Sequence, residues 1–200
     1  MPQTRIIIAG AGPVGVVAGL ALAQHGYAVT LLEADAGIDD NPRAATTHPS
    51  TLEMIARVGL IDQFIEEGLI ARYFQFWDKP TRTRIVEFDH ELLRGETAYP
   101  FVVQTEQHKL ARMGLERLKT FADVDVRFST RVTGVTQDAD GATVTAKGPD
   151  GLKYYRGDWV IGADGGRSTI RKSLDIEFEG YTWPENFLVL TTTEDFQQIL

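Results

Sequence analysis

The 200-residue chain contains no cysteine, which excludes disulfides, thiolate catalysis and cysteine-ligated zinc or iron–sulfur clusters. Histidine is nearly as scarce. His25, His48, His90 and His108 are scattered, no pair has metal-site spacing, and each reads as a surface or packing residue, so no metal site is expected. Positive charge is in deficit: 20 Lys and Arg against 28 Asp and Glu leave a net charge of −8. No basic patch results, which disfavours nucleic acid or an anionic membrane as partner. One uncharged run, residues 6–23, follows Arg5 and ends in Ala21-Leu22-Ala23, superficially like a signal peptide or a membrane span. Gly10, Gly12, Gly15, Gly19 and Pro13 inside it argue against a spanning helix. The expectation is a chain with no integral membrane segment, resident in a reducing cytoplasm.

What is present begins with residues 4–33, TRIIIAGAGPVGVVAGLALAQHGYAVTLLE, which read as one β-α-β unit. Arg5–Ala9 is a short apolar, β-branched run suited to a buried parallel strand. Gly10, Gly12 and Gly15 follow as G-x-G-x-x-G. The first glycine permits the tight turn, the second admits backbone close to a pyrophosphate, and the third lets the helix pack on the strand. Pro13 suits the first turn of that helix, whose N-terminus favours bound anions. Gly26 stops the helix, and Ala28–Leu32 form the second strand. Glu33 lies 18 residues beyond Gly15, close to the roughly 20-residue spacing of an acid that hydrogen-bonds an adenosine ribose 2′-hydroxyl. The unit predicts dinucleotide binding.

Further along, residues 34–50 read as a polar loop, followed by helices over 51–58 and 61–67. Tyr73–Trp77 and Arg84–Phe88 have strand composition and stand outside a simple α/β alternation, like the start of a second, β-rich layer. Residues 104–120 carry Ala111, Leu115 and Leu118 at helical spacing and predict a long amphipathic helix, with Gly114 as a weak point. A parallel strand is expected over 124–128. Arg131–Gln137, Ala142–Lys147 and Lys153–Tyr155, separated by Asp-Gly turn signals, predict an antiparallel meander. Trp159–Ile161 is a further buried strand delivering Gly162-Ala163-Asp164-Gly165-Gly166 to its carboxyl end, where open α/β sheets bind ligands. Ser168 caps a short helix through Leu174, and Arg167 and Arg171 bring positive charge to the same place. The fold class is thus α/β, a Rossmann-like domain with a parallel sheet, plus the meander and the β-rich layer.

Taken together, these residues resemble the FAD-dependent aromatic hydroxylases, single-component flavoprotein monooxygenases that include the 3-(3-hydroxyphenyl)propionate and phenol hydroxylases. The resemblance runs through Gly10-Ala11-Gly12-Pro13-Val14-Gly15 with Glu33, Pro42-Arg43-Ala44, Ser50-Thr51-Leu52-Glu53, Val58-Gly59-Leu60, and residues 161–168 with Arg171. It implies that Arg43 and Gln104 contact FAD and that Asp164 and Gly165 belong to a motif serving both FAD and pyridine-nucleotide use. It also implies a discontinuous FAD-binding domain, 1–71 and 104–180, with 72–103 and 181–200 as part of a β-rich substrate domain. The implied activity is hydroxylation of a phenolic ring with NAD(P)H and O2, water being the other product. No catalytic residue is named. Tyr73, Phe74, Phe76 and Trp77 are candidates for a ring-stacking wall, although aromatic strands are more often core. The family's Gly-Asp motif for the flavin ribitol has no match here, and residues 197–200 read as an interruption inside a domain. An NAD-linked dehydrogenase using the same fingerprint and a non-catalytic FAD-binding module remain as alternatives.

Overall fold

The computed structural model describes residues 3–41, 43–186, 188 and 192–194. Strand β1 (Arg5–Ala9) runs through the glycine turn into helix α1 (Pro13–Gln24) and returns as β2 (Ala28–Leu32). After the two-residue strand β3 (Thr46–Thr47) come helices α2 (Pro49–Arg57) and α3 (Ile61–Glu66). Then β4 (Leu69–Ala71) leads to a hairpin of β5 (Tyr73–Asp78) and β6 (Thr83–Asp89), and a 3-10 turn (His90–Leu93) precedes β7 (Val102–Gln104). Helix α4 (Gln107–Leu118) and β8 (Val124–Arg127) follow. The meander β9 (Arg131–Asp138), β10 (Gly141–Gly148) and β11 (Gly151–Gly157) leads to β12 (Trp159–Gly162) and α5 (Thr169–Ser173).

The central sheet has the order β12-β1-β2-β8, and all its pairings are parallel. Both faces are covered, as parallel sheets require. The period-two geometry of β1 divides its side chains between two cores. Ile6 and Ile8 face helices α1 and α4, with Leu20, Leu115 and Leu118. Ile7 and Ala9 face the meander, with Val135, Ala142, Val144 and Ala146. Gly114 explains itself here: a Cβ at that position would lie 2.2 Å from Val16 Cγ1, so the glycine is what lets α4 pack closely on α1. The β1-α1-β2 unit, the hairpin and the meander all stand within a few residues of their expected bounds.

One expected boundary is corrected. Gln104 does not open a helix; it ends strand β7, which pairs antiparallel with β3 and β4. The β-branched pair Val102-Val103 is fully inside this small sheet, and the helix starts only after the turn at Thr105 and Glu106. Pro42 and the expected interruption at 197–200 lie outside the described residues, and of the stretch 187–191 only Leu188 is described.

The hairpin is amphipathic. Phe74, Phe76, Val86 and Phe88 occupy paired positions, with ring centroids of Phe74 and Phe76 5.0 Å apart. A bidentate Arg72–Asp89 pair at 2.6 and 2.7 Å closes the base of the hairpin, and this guanidinium pulls the Asp89 carboxyl down to about 2. Tyr73, Phe74, Phe76 and Trp77 are 48–55% exposed, so this aromatic strand is not core among the described residues.

Candidate functional site

The carboxyl ends of β12, β1 and β2 stand side by side, and across them runs a cleft of about 480 Å³. That size is within the range of small-molecule and cofactor sites. Gly10, at the end of β1, has φ +104°, which a side chain rarely tolerates. It also lies against the next strand's exit: a Cβ there would come 2.4 Å from the Ala163 carbonyl oxygen. The Gly10 N–H donates to the Leu32 carbonyl and the Ala163 N–H donates to the Ala9 carbonyl, each at 2.8 Å. Three strand ends are thereby locked into one wall.

Gly12 is the N-cap of α1, with no side-chain cap and no acid in the first turn. Its missing Cβ would meet nothing within 4 Å, so the backbone here borders open space on the cleft. Pro13 occupies the first turn, where its absent N–H is no loss. The exposed N–H groups and dipole at this helix start favour an anion. Gly15 does not line the cleft; its hydrogen lies against the turn, and a Cβ would sit 1.9 Å from the Gly10 carbonyl oxygen.

Glu33 caps β2 and lines the cleft, and its carboxylate is engaged with backbone. Oε2 accepts from the Ala11 N–H at 2.7 Å and Oε1 from the Asp35 N–H at 3.0 Å. One oxygen thus ties the end of β2 to the glycine turn, a bond that spacing alone did not reveal. Asp164, at the exit of β12, accepts through Oδ2 from the Thr169 and Ile170 N–H groups at 2.6 and 3.2 Å. Its Oδ1 is buried with no hydrogen-bond partner among the described residues. Gly165, φ +77°, completes the turn. Ser168 accepts from the Arg171 N–H at 3.0 Å, as its capping position suggested.

The arginines divide. Arg43 lines the cleft from the loop after β2, paired with Asp39 at 2.7 Å, and that hydrogen bond holds the Asp39 carboxyl below the usual carboxylate range. Arg131, the first residue of the meander, also lines it and stands 3.6 Å from Asp35. Arg167 lines it without an ion pair among the described residues. Arg171 does not: it donates to the Gly166 carbonyl at 2.9 Å and lies 4.4 Å over the Phe178 ring. Gln104 is likewise away from the cleft, its Oε1 accepting from Thr46 Oγ1 at 2.9 Å. In its place Gln107 and His108, from the first turn of α4, form the wall.

This geometry has a counterpart in known proteins. The pattern described as "FAD binding domain" matches residues 3–199. The chain belongs to this FAD binding domain family. It is 34% identical over 198 residues to 6-hydroxy-3-succinoylpyridine 3-monooxygenase of Pseudomonas putida, covering 98% of this chain and 50% of the relative. It is 29% identical over 191 residues to para-nitrophenol 4-monooxygenase of a Pseudomonas species, covering 96% and 47%. The crystal structure of p-nitrophenol 4-monooxygenase from Pseudomonas putida DLL-E4 superposes with a TM-score of 0.86 at 30% identity, covering 90% of this chain and 46% of that one. The chain therefore spans about half the length of these relatives. As an FAD-binding domain it carries no helix, among the described residues, long and apolar enough to cross a membrane.

Proposed function

We propose that this chain is the FAD-holding part of a monooxygenase that hydroxylates a phenolic ring with NAD(P)H and O2 in the cytoplasm. The observation that carries the FAD placement is the cradle at the carboxyl ends of the sheet, where Gly12 opens onto the cleft beside an uncapped helix start. The buried, unpartnered Asp164 Oδ1 fits the same group, because a hydroxyl-bearing ligand offers the donor it lacks. The two relatives compared above, both named as monooxygenases, support the activity.

In this reading Gly10, Gly12 and Pro13 shape the pyrophosphate site, with Gly15 holding the helix that faces it. Glu33 takes the adenosine ribose, and Arg43 offers charge to the phosphates once Asp39 releases it. Asp164 and Gly165 close the far side. Gln104, which the resemblance puts against FAD, is not among the cleft residues, and its bond to Thr46 is its contact here. When bound, FAD supplies the redox chemistry that side chains lack. The protein's own work is to position and to exclude water. Residues 1–71 and 104–180 form the FAD-binding unit, and 72–103 with 181–200 contribute to the substrate side, where the apolar hairpin face suits an aromatic ring.

The test measures flavin absorbance of the purified protein, then NAD(P)H oxidation, O2 uptake and ring hydroxylation with a panel of phenols. Flavin retention is expected of this chain, which spans about half the length of its relatives, and matched stoichiometry of the three is expected only of a longer protein that contains it. Colourless protein that takes no FAD would turn the reading to a nicotinamide enzyme, and bound FAD without phenol-stimulated oxidation would leave a non-catalytic module.

Glu33 provides a sharper check. Glu33→Ala removes a ribose acceptor and frees the Ala11 N–H, so FAD binding is expected to weaken about tenfold to a hundredfold, equivalent to about 1.5–3 kcal/mol. Glu33→Gln, which keeps one acceptor, is expected to lose less. The wild-type site is also expected to reject a 2′-phosphorylated nucleotide, which would face the carboxylate with like charge. Equal FAD affinity of wild type and Glu33→Ala in a fluorescence titration would remove the ribose assignment.

A further inference from the structure

Resting on the FAD reading above, we propose that His108 is a positioning residue that donates a hydrogen bond from Nε2 to an oxygen of the cofactor's pyrophosphate–ribityl chain. His108 stands in the first turn of α4 and lines the same cleft as the glycine turn and Glu33. Its Nδ1 is shut from solvent and has no hydrogen-bond partner among the described residues. No hydrogen bond joins Nε2 to another described residue, which leaves it available to a ligand in the cleft that His108 lines.

This asymmetry selects a tautomer. A proton on Nδ1 would be an orphaned buried N–H, which proteins avoid more strictly than an under-used acceptor. The neutral ring therefore carries its proton on Nε2 and presents a donor to the cleft. The surroundings favour an oxygen acceptor there. The first turn of α4 has no acidic residue, and the Glu106 side chain at its N-cap makes no cap hydrogen bond, being held instead by Lys109 at 2.8 Å. The start of α4 thus brings an imidazole N–H and an acid-free first turn to the cleft that the start of α1 also borders.

The experiment compares wild type with His108→Ala, His108→Gln and His108→Asn by titration with FAD and, separately, with ADP. The glutamine amide nitrogen reaches about as far as Nε2, whereas the asparagine nitrogen takes the place of Nδ1. The expected result is about tenfold weaker FAD binding for the alanine and asparagine variants, with glutamine restoring most of it. Weakening with ADP as well assigns the acceptor to the pyrophosphate, and weakening with FAD alone assigns it to the ribityl chain. Unfolding of the FAD-free variants should stay at the wild-type temperature. For wild type, 15N spectra of the imidazole should show the Nε2–H tautomer and a shift of that nitrogen on adding FAD. Equal FAD affinity of wild type and His108→Ala, or an unmoved Nε2 resonance, overturns the assignment of His108 alone. Failure of wild type to bind FAD would instead overturn the reading of the whole site.

Discussion

Gly12→Val is expected to abolish measurable FAD binding, a loss of more than about a hundredfold or about 2.7 kcal/mol, while leaving the fold intact. Both halves of this expectation follow from one position. The backbone at Gly12 has φ −66° and ψ 176°, a conformation open to any residue, so valine meets no backbone strain. The added Cβ meets no atom within 4 Å beyond its chain neighbours, so the side chain extends into the open cleft. The only thing it occupies is the space over the start of α1, where the pyrophosphate must approach backbone N–H groups. Circular dichroism and the unfolding temperature should match wild type, and FAD titration should not. A valine variant that binds FAD normally would move the phosphate site away from this turn. A variant that unfolds would show that the open space beside Gly12 is not spare.

Much of this site was legible because its signals are local. The turn from β1 to α1 is written in adjacent residues, and so is the carboxylate ending β2. Hydrophobic period and turn dipeptides gave the meander, and the aromatic runs gave the hairpin. What stayed hidden depends on partners far along the chain. Gly10 is needed for its φ, which the motif foretells, but also because Ala163 lies against it, which nothing near residue 10 announces. The strands β3, β4 and β7 are two or three residues long and exist only by pairing with one another, so Gln104 looked like the start of the periodic helix beside it. Gly114 looked like a flaw in that helix because Val16, its reason, belongs to another one. His108 carried a usable signal. It stands at the polar start of an amphipathic helix, where a cleft-facing role competes with a surface one, and only the burial of Nδ1 decides between them.

The same glycine motif yields the opposite outcome three residues on. Gly15→Ala is expected to destabilise the protein by about 3 kcal/mol, a fall in unfolding temperature of about 6–12 °C for a chain of this size. Alanine is the better helix former by about 1 kcal/mol, so propensity alone predicts a gain. Packing decides otherwise. The new Cβ would lie 1.9 Å from the Gly10 carbonyl oxygen and 3.1 Å from its carbon, distances at which something must move. No flexible side chain is there to yield, because the obstacle is backbone. Nor can that backbone shift freely: Gly10 is bonded to Leu32 through its N–H and wedged against Ala163. Relief therefore means displacing the turn or α1, and α1 is fixed in turn by Gly114 against Val16. Gly19→Ala, one turn further along the same helix, is the control. Its Cβ would make ordinary contacts at 3.6 Å with Ile8 and Leu118, so this variant should keep or slightly raise the wild-type unfolding temperature. Differential scanning calorimetry of the two variants separates packing from propensity. If Gly15→Ala melts with Gly19→Ala, the turn is softer than its hydrogen bonds imply, and the rigid cradle proposed for the phosphates loses its basis.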